Sequence, residues 1–156
     1  MMRPFRIMMP AMMAAAIVAL ALVPNEGVAE ELIFKDYQVV EVRPFEVPLN
    51  VAAPERAGQD LANETVYQII RYSDKFNLFE MVIMEGSHKV PAGKKVLLVK
   101  GTITAYSTRG TCAATFQFVD KASGHVLPVQ ETEAKGLTFR VANYIARVIY
   151  KYKVGR

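Results

Sequence analysis

The chain has 156 residues, of which 52% are hydrophobic and 22% are charged, with a formal net charge of +4 and a single cysteine. This length is sufficient for one domain with a hydrophobic core. The composition excludes an intrinsically disordered chain, a collagen-like chain and a disulfide-stabilised scaffold. We therefore expect a globular α/β domain.

The N-terminal segment has the order of charge and hydrophobicity that is typical of a secretory signal peptide. Two arginines precede the uncharged run Ile7–Val23, and Gly27–Ala29 supplies small residues before an acidic pair. We predict a signal peptide at residues 1–29 and a single α/β envelope domain at residues 30–156, which is periplasmic or secreted. A retained N-terminal membrane helix is the alternative, because the apolar run reaches the lower limit for spanning a bilayer.

The single cysteine, Cys112, restricts the chemistry that the sequence can support. It lies far from the apolar run, so it does not provide the lipid attachment site of a lipoprotein. Without a second cysteine, the sequence contains neither a thioredoxin-like pair nor a thiolate zinc site. We predict that Cys112 is a buried small hydrophobic residue rather than a reactive thiol. We also predict no cofactor and no bound metal.

The first predicted elements of the domain are a strand and an amphipathic helix. Tyr37–Arg43 is rich in β-branched residues and predicts a strand that Pro44 ends, and Asn50–Pro54 predicts a loop. From Glu55 to Phe76 (55–76), apolar and charged side chains fall on opposite sides at helical spacing, which indicates a helix packed on a sheet. Asn77 suits the left-handed position that follows a helix.

Four further strands are predicted before a final helix. They span Phe79–Met84, Val96–Ser107, Thr111–Val119 and His125–Ala134, and Pro128 indicates an edge or a bulge in the last of them. The order β-α-β-β-β-β-α predicts a two-layer α/β (α+β) sandwich. Its sheet is expected to be mixed and mainly antiparallel, with two helices packed on one face.

The final helix, predicted from Leu137 to Tyr152 (137–152), has an apolar arc with a basic margin. The segment from Lys135 to the end of the chain contains six basic residues and no acidic residue. We predict a candidate interaction surface at Arg140, Arg147, Lys151 and Lys153. Its partner would be an envelope protein or an anionic membrane surface, and the expected export argues against nucleic acid. The alternative is an ordinary solvated helix margin, because helix C-termini favour lysine and arginine.

Catalytic motifs are weak in this sequence. His88 and His125 lie near predicted turns, and neither has a neighbouring histidine, cysteine or carboxylate at metal-ligand spacing apart from Glu85 in the same loop. No nucleophile elbow or phosphate-binding glycine loop is present. Glu131 and Glu133 are more simply explained as the solvated face of an edge strand. We predict that the protein is not an enzyme, with a hydrolase using His88 and Glu85 as an alternative.

Four short motifs resemble a family of small exported bacterial proteins and lipoproteins known as domain of unknown function 4410. They are Val42–Val47, Leu78–Val82, Val99–Tyr106 and Asp120–Gly124. The resemblance covers most of residues 30–156 and implies a small α/β envelope domain without established catalytic residues. The sequence departs from many relatives in lacking a lipobox cysteine and a glycine-rich stretch after the third motif.

Together these observations favour a non-catalytic binding or assembly domain of the cell envelope. A peripheral membrane protein that uses the basic C-terminal helix or a retained N-terminal helix is the alternative function. A hydrolase with an unrecognised site is the second alternative.

Overall fold

The computed structural model of the chain describes residues 31–155, so the predicted signal peptide lies outside the described residues. Regular structure begins a few residues into this range. In chain order the elements are β1 (Val39–Val42), α1 (Ala57–Phe76), β2 (Met81–Met84), β3 (Val96–Tyr106), β4 (Thr111–Asp120), β5 (Glu133–Leu137) and α2 (Thr138–Val154).

The five strands form one mixed sheet in the order β2-β1-β3-β4-β5. β1 lies parallel to both β2 and β3, whereas β3 with β4 and β4 with β5 form longer antiparallel ladders. Helices α1 and α2 contribute to a single hydrophobic core with the strands, and they pack against each other. The predicted two-layer α+β sandwich is therefore confirmed, including its element order.

Alternation along the long strands builds the core beneath the helices. In β3 the side chains of Leu97, Val99 and Ile103 are fully buried, and they point to the same face because successive strand residues alternate. Phe118 of β4 is buried on this face, and its ring centroid lies 5.1 Å from that of Phe34. The segment before β1 therefore belongs to the core.

Phe45, which follows β1, packs closely against one glycine of helix α1 and one glycine of strand β3. A Cβ atom at Gly58 of α1 would lie 1.9 Å from the carbonyl oxygen of Phe45, and the Phe45 amide donates to the Gly58 carbonyl at 3.1 Å. A Cβ atom at Gly101 of β3 would lie 2.7 Å from the Phe45 ring and 2.2 Å from the carbonyl oxygen of Thr115. Glycine is required at both positions because no side-chain atom fits.

The strand predicted at His125–Ala134 is wrong in its position. Before β5 begins at Glu133, this segment meets β4 through an isolated bridge between Val119 and Val126, and the Thr132 carbonyl accepts a bond from the Phe116 amide. Between these two contacts lies Pro128, which has no backbone N–H to donate to a ladder. Regular pairing therefore resumes later in the chain, and β5 leads directly into α2.

Candidate functional site

Helices α1 and α2 run parallel, side by side, and leave a groove between them on their outer side. The amide of Asn143 donates to the amide oxygen of Gln68 at 3.1 Å. Two helical turns further along both helices, the ring centroids of Phe76 and Tyr150 are 4.6 Å apart. The second contact lies closer to the C-terminus than the first on both helices. The same two helices therefore line the groove over at least this length.

Three neighbouring cavities follow this groove, with volumes of about 580, 310 and 290 Å³. Arg71 lines the largest and the smallest of them, Arg147 lines the two larger ones, and Phe76 lines the two smaller ones. The cavities therefore form one continuous surface, which we call the basic seam. Five of its basic residues are Arg71, Lys75, Lys135, Arg140 and Arg147, and a sixth, Lys151, pairs with Glu131.

None of these five cations forms an ion pair with another residue in the range 31–155. Three of them lie over aromatic rings: Arg140 is 5.7 Å from the Phe139 ring centroid, Lys75 is 5.2 Å from that of Phe76, and Arg71 is 6.0 Å from that of Tyr67. Among the described residues that line the cavities, Glu133 is the one carboxylate without an ion pair. The seam therefore has an uncompensated positive charge.

Arg140 occupies an electrostatically unfavourable position in α2. It lies in the first turn, which contains no acidic residue, and the helix start at Leu137 has no side-chain cap. The N-terminal end of a helix carries partial positive charge, so a cation is disfavoured there. The placement of Arg140 thus opposes helix stability, and the fold gives no compensating contact from a carboxylate in residues 31–155.

The four basic residues predicted as an interaction surface differ in their locations and contacts. Arg140 and Arg147 are exposed and lie in the basic seam. Lys151 also lines the seam, at its 310 Å³ cavity, but it donates to a carboxylate oxygen of Glu131 at 2.7 Å. Lys153 lies at the far end of α2 and lines none of the three seam cavities.

Lys153 holds the start of the domain against the C-terminal end of α2. Its Nζ donates to the carbonyl oxygens of Lys35, at 3.0 Å, and of Tyr37. It also lies 4.7 Å from the ring centroid of Phe79. Burial lowers the pKa of Lys153, although the charge of nearby Asp36 opposes this effect. These contacts give Lys153 a structural role.

Three seam residues were not assigned to an interaction surface by the sequence. Arg71 and Lys75 occur on the polar side of the first predicted helix, where charged residues need no explanation beyond solvation. Lys135 belongs to the basic C-terminal segment but precedes the predicted helix. The signal that would have identified them is the parallel packing of α1 on α2, which requires knowledge of the tertiary structure.

The two loop residues considered for hydrolysis, His88 and Glu85, are each hydrogen-bonded to a different residue. Ser87 Oγ lies 2.9 Å from His88 Nδ1, but the Ser87 hydroxyl donates to the carbonyl oxygen of Met84 at 2.8 Å. The Ser87 hydroxyl has one proton, so while it donates to this carbonyl it cannot also donate to His88 Nδ1. Glu85 is held by two hydrogen bonds from Arg43, at 2.7 and 3.0 Å, which lower its pKa.

Other candidate centres have weaker features. No group of three or more potential metal-ligating residues occurs within residues 31–155. Cys112 is buried, as predicted, and burial raises the pKa of its thiol. A cavity of about 700 Å³ lies on the sheet face that the helices leave open. Its lining contains two cations, Lys100 and Arg43, and one carboxylate, Glu46, so its excess of positive charge is smaller than that of the seam.

No protein-family model matches the chain, and no curated protein matches it. Solved structures resemble it at low identity, among them the following three. A PelC dodecamer from Paraburkholderia phytofirmans is 17% identical over 80% of this chain and 92% of that chain, with a TM-score of 0.45. A variant of that dodecamer is 14% identical over 85% and 95%, with a TM-score of 0.47. An uncharacterized protein is 13% identical over 80% and 95%, with a TM-score of 0.40.

These resemblances carry no argument about the function of this chain, because all three TM-scores are low. Within the described residues, no helix has the length and hydrophobicity needed to cross a membrane. The chemistry of the seam therefore provides the basis for a functional hypothesis.

Proposed function

We propose that the protein is an exported, non-catalytic domain of the cell envelope that binds an anionic macromolecular partner through the basic seam. The observation that carries this proposal is the convergence of five unpaired cations on three connected cavities. Such a cluster repels itself, and an anionic partner would remove that repulsion while replacing water in the groove.

The side chains of the seam are suited to binding a large anionic surface. Arginine and tyrosine are the residue types that most often dominate binding energy at protein interfaces. Arg71 and Arg147 provide planar guanidinium groups for carboxylates or phosphates. The rings of Tyr72 and Tyr150, 5.8 Å apart between centroids, offer apolar area next to those charges. The guanidinium groups and the apolar ring area are both features that a binding surface for an anionic partner needs.

Export and the absence of catalysis are parts of the proposal that rest on the sequence. The charge and small-residue pattern of residues 1–29 supports export. The hydrogen bonds of Ser87 and Glu85 disfavour the hydrolase alternative, since each group is already engaged by another partner. Membership of the domain of unknown function 4410 family, proposed from the four motifs, agrees with a small envelope protein.

Fluorescence anisotropy with labelled poly-L-glutamate tests the proposal, using protein purified after expression of the full chain. We expect binding that weakens about 10-fold with Arg147→Glu and that also weakens as salt rises, because exposed charges are screened. Lys89→Glu is the matched control, since Lys89 is exposed but lines none of the three cavities. Equal binding by wild type and Arg147→Glu would contradict the proposal.

A peripheral membrane role is the second candidate, and one observation favours it. Phe139 and Leu137 are 49% and 40% exposed beside Arg140, and apolar side chains next to a cation suit a membrane interface. Sedimentation with phosphatidylglycerol vesicles decides between the two functions. Salt-sensitive binding to vesicles together with no binding to poly-L-glutamate would favour the membrane role.

A further inference from the structure

We infer that the occupant of the basic seam is an acidic amphipathic helix of a partner protein, docked as a third helix along the groove between α1 and α2. This inference rests on the proposed function and specifies its partner. The arrangement that points to it is a helical groove with apolar anchors at both ends and cations along its walls.

The shape of the seam favours a helix over a flat surface. Two parallel helices with an open groove between them present ridges into which a third helix can pack at an interaxial distance of about 8–10 Å. The Gln68–Asn143 contact forms the floor of this groove, and the cavities extend along it in both directions. A planar bilayer would contact the rims of the groove, whereas a helix would fill the cavities.

Aromatic side chains lie at both ends of the groove. Phe139 lies at one end and is 49% exposed, while Phe76, which is 40% exposed, packs against the tilted ring of Tyr150 at the other. Eleven residues of α2 separate Phe139 from Tyr150, which corresponds to about 16 Å of helix. A partner helix therefore needs at least three turns, with an apolar stripe that contacts both ends.

The positions of the cations define the charges on the partner. Arg140 and Arg147 are seven residues apart, so they lie on the same side of α2 about 10 Å apart. Arg71 and Lys75 are separated by one turn on the facing side of α1. Carboxylates that flank the apolar stripe on both sides would meet these two rows. This is the pattern of an amphipathic helix bound in a groove, with charge complementarity along its edges.

Two synthetic peptides of 18 residues and identical composition test the inference. In the first, leucines at i, i+4, i+7 and i+11 form one stripe flanked by glutamates, with alanine elsewhere. In the second, the same leucines are dispersed around the helix. We expect the full-chain protein to bind the striped peptide at least 10-fold more tightly than the dispersed peptide, as measured by anisotropy at fixed salt.

Anchor variants identify where the striped peptide binds. We expect Phe76→Ser and Phe139→Ser each to reduce the preference for the striped over the dispersed peptide at least threefold, because each removes one apolar anchor of the groove. The matched control is Val126→Ser, because Val126 has the same 49% exposure as Phe139 but lies outside the seam. Circular dichroism of each variant checks that the fold is retained.

The outcomes separate this inference from the proposed function. Equal affinity for both peptides would overturn the helical partner, while salt-sensitive binding lost in Arg147→Glu would leave the proposed function intact. A preference that persists in both anchor variants would also overturn it, because the peptide would then bind elsewhere. Displacement of the striped peptide by phosphatidylglycerol vesicles would overturn it in favour of a membrane surface. Failure of all anionic probes to bind would contradict the proposed function itself.

Discussion

Replacement of Arg140 by glutamate is expected to change stability and binding in opposite directions. Arg140 is the third residue of α2, in a first turn that has no acidic residue and no side-chain cap. Glutamate at this position would interact favourably with the partial positive charge of the helix start. The same substitution would remove one of the five cations of the basic seam that lack an ion pair, and it would place a carboxylate there.

The size of the stability change follows from helix electrostatics. A single charge near a helix end contributes about 0.3–1 kcal/mol, and charge reversal replaces an unfavourable interaction with a favourable one. We therefore expect Arg140→Glu to raise the free energy of unfolding by about 1 kcal/mol. For a domain of this size, that corresponds to an increase in Tm of about 4 °C. Binding to poly-L-glutamate should weaken about 10-fold over the same substitution.

Urea unfolding followed by circular dichroism measures the first effect, and fluorescence anisotropy measures the second. Arg147→Glu is the matched variant, because Arg147 lies in the middle of α2 and its reversal brings no gain at the helix start. We expect it to lose binding with stability unchanged within about 0.5 kcal/mol. A loss of stability in Arg140→Glu would refute the reasoning, since it would show that Arg140 supports the fold.

Three further predictions concern the scaffold. Gly101→Ala should lower the free energy of unfolding by about 1–3 kcal/mol in urea titrations, because its Cβ would lie 2.2 Å from a backbone oxygen of β4. An unchanged free energy of unfolding in Gly101→Ala would contradict the packing argument. Lys153→Met should cost about 1–2 kcal/mol, measured by thermal unfolding, since two carbonyl oxygens lose their donor; an unchanged Tm would show that these bonds contribute nothing. Hydrogen bonds from Arg43 lower the pKa of Glu85 in the folded protein. The stability that these bonds add is therefore complete at pH values above the ordinary carboxyl pKa of about 4.5. It is lost as the pH falls through the lowered pKa of the folded state. Urea titrations from pH 6 to 3 should show this loss, and Glu85→Gln should reduce it; an identical pH dependence in both proteins would refute the assignment.

Most of the fold follows from periodicity that is visible in the sequence. The 55–76 segment forms α1 with its start two residues later, and Asn77 takes the left-handed conformation expected of it. The long apolar alternation after residue 95 forms β3, because burial on one face dictates that pattern. The last strand was predicted at His125–Ala134, but β5 begins only at Glu133. Pro128 interrupts the pairing with β4, and local sequence does not show where that pairing resumes.

The candidate site was predictable only in part. The basic margin of α2 is visible on a helical wheel, and it correctly places Arg140 and Arg147 on the surface. The same wheel cannot distinguish them from Lys153, whose partners precede it by more than a hundred residues. Nor can it bring Arg71 to the same groove, because that contact depends on how two helices pack on a shared sheet. Sequence periodicity identifies faces, while tertiary packing decides which faces meet.

The most direct test of a binding role for the seam is amide chemical-shift mapping on the isotope-labelled protein during titration with poly-L-glutamate. The proposed function predicts that the largest shift changes fall on α1 and α2 around Arg71 and Arg147, and that Arg147→Glu needs about 10-fold more poly-L-glutamate to produce them. Largest changes around Lys100 on the open face of the sheet, or changes spread evenly over the surface, would contradict it.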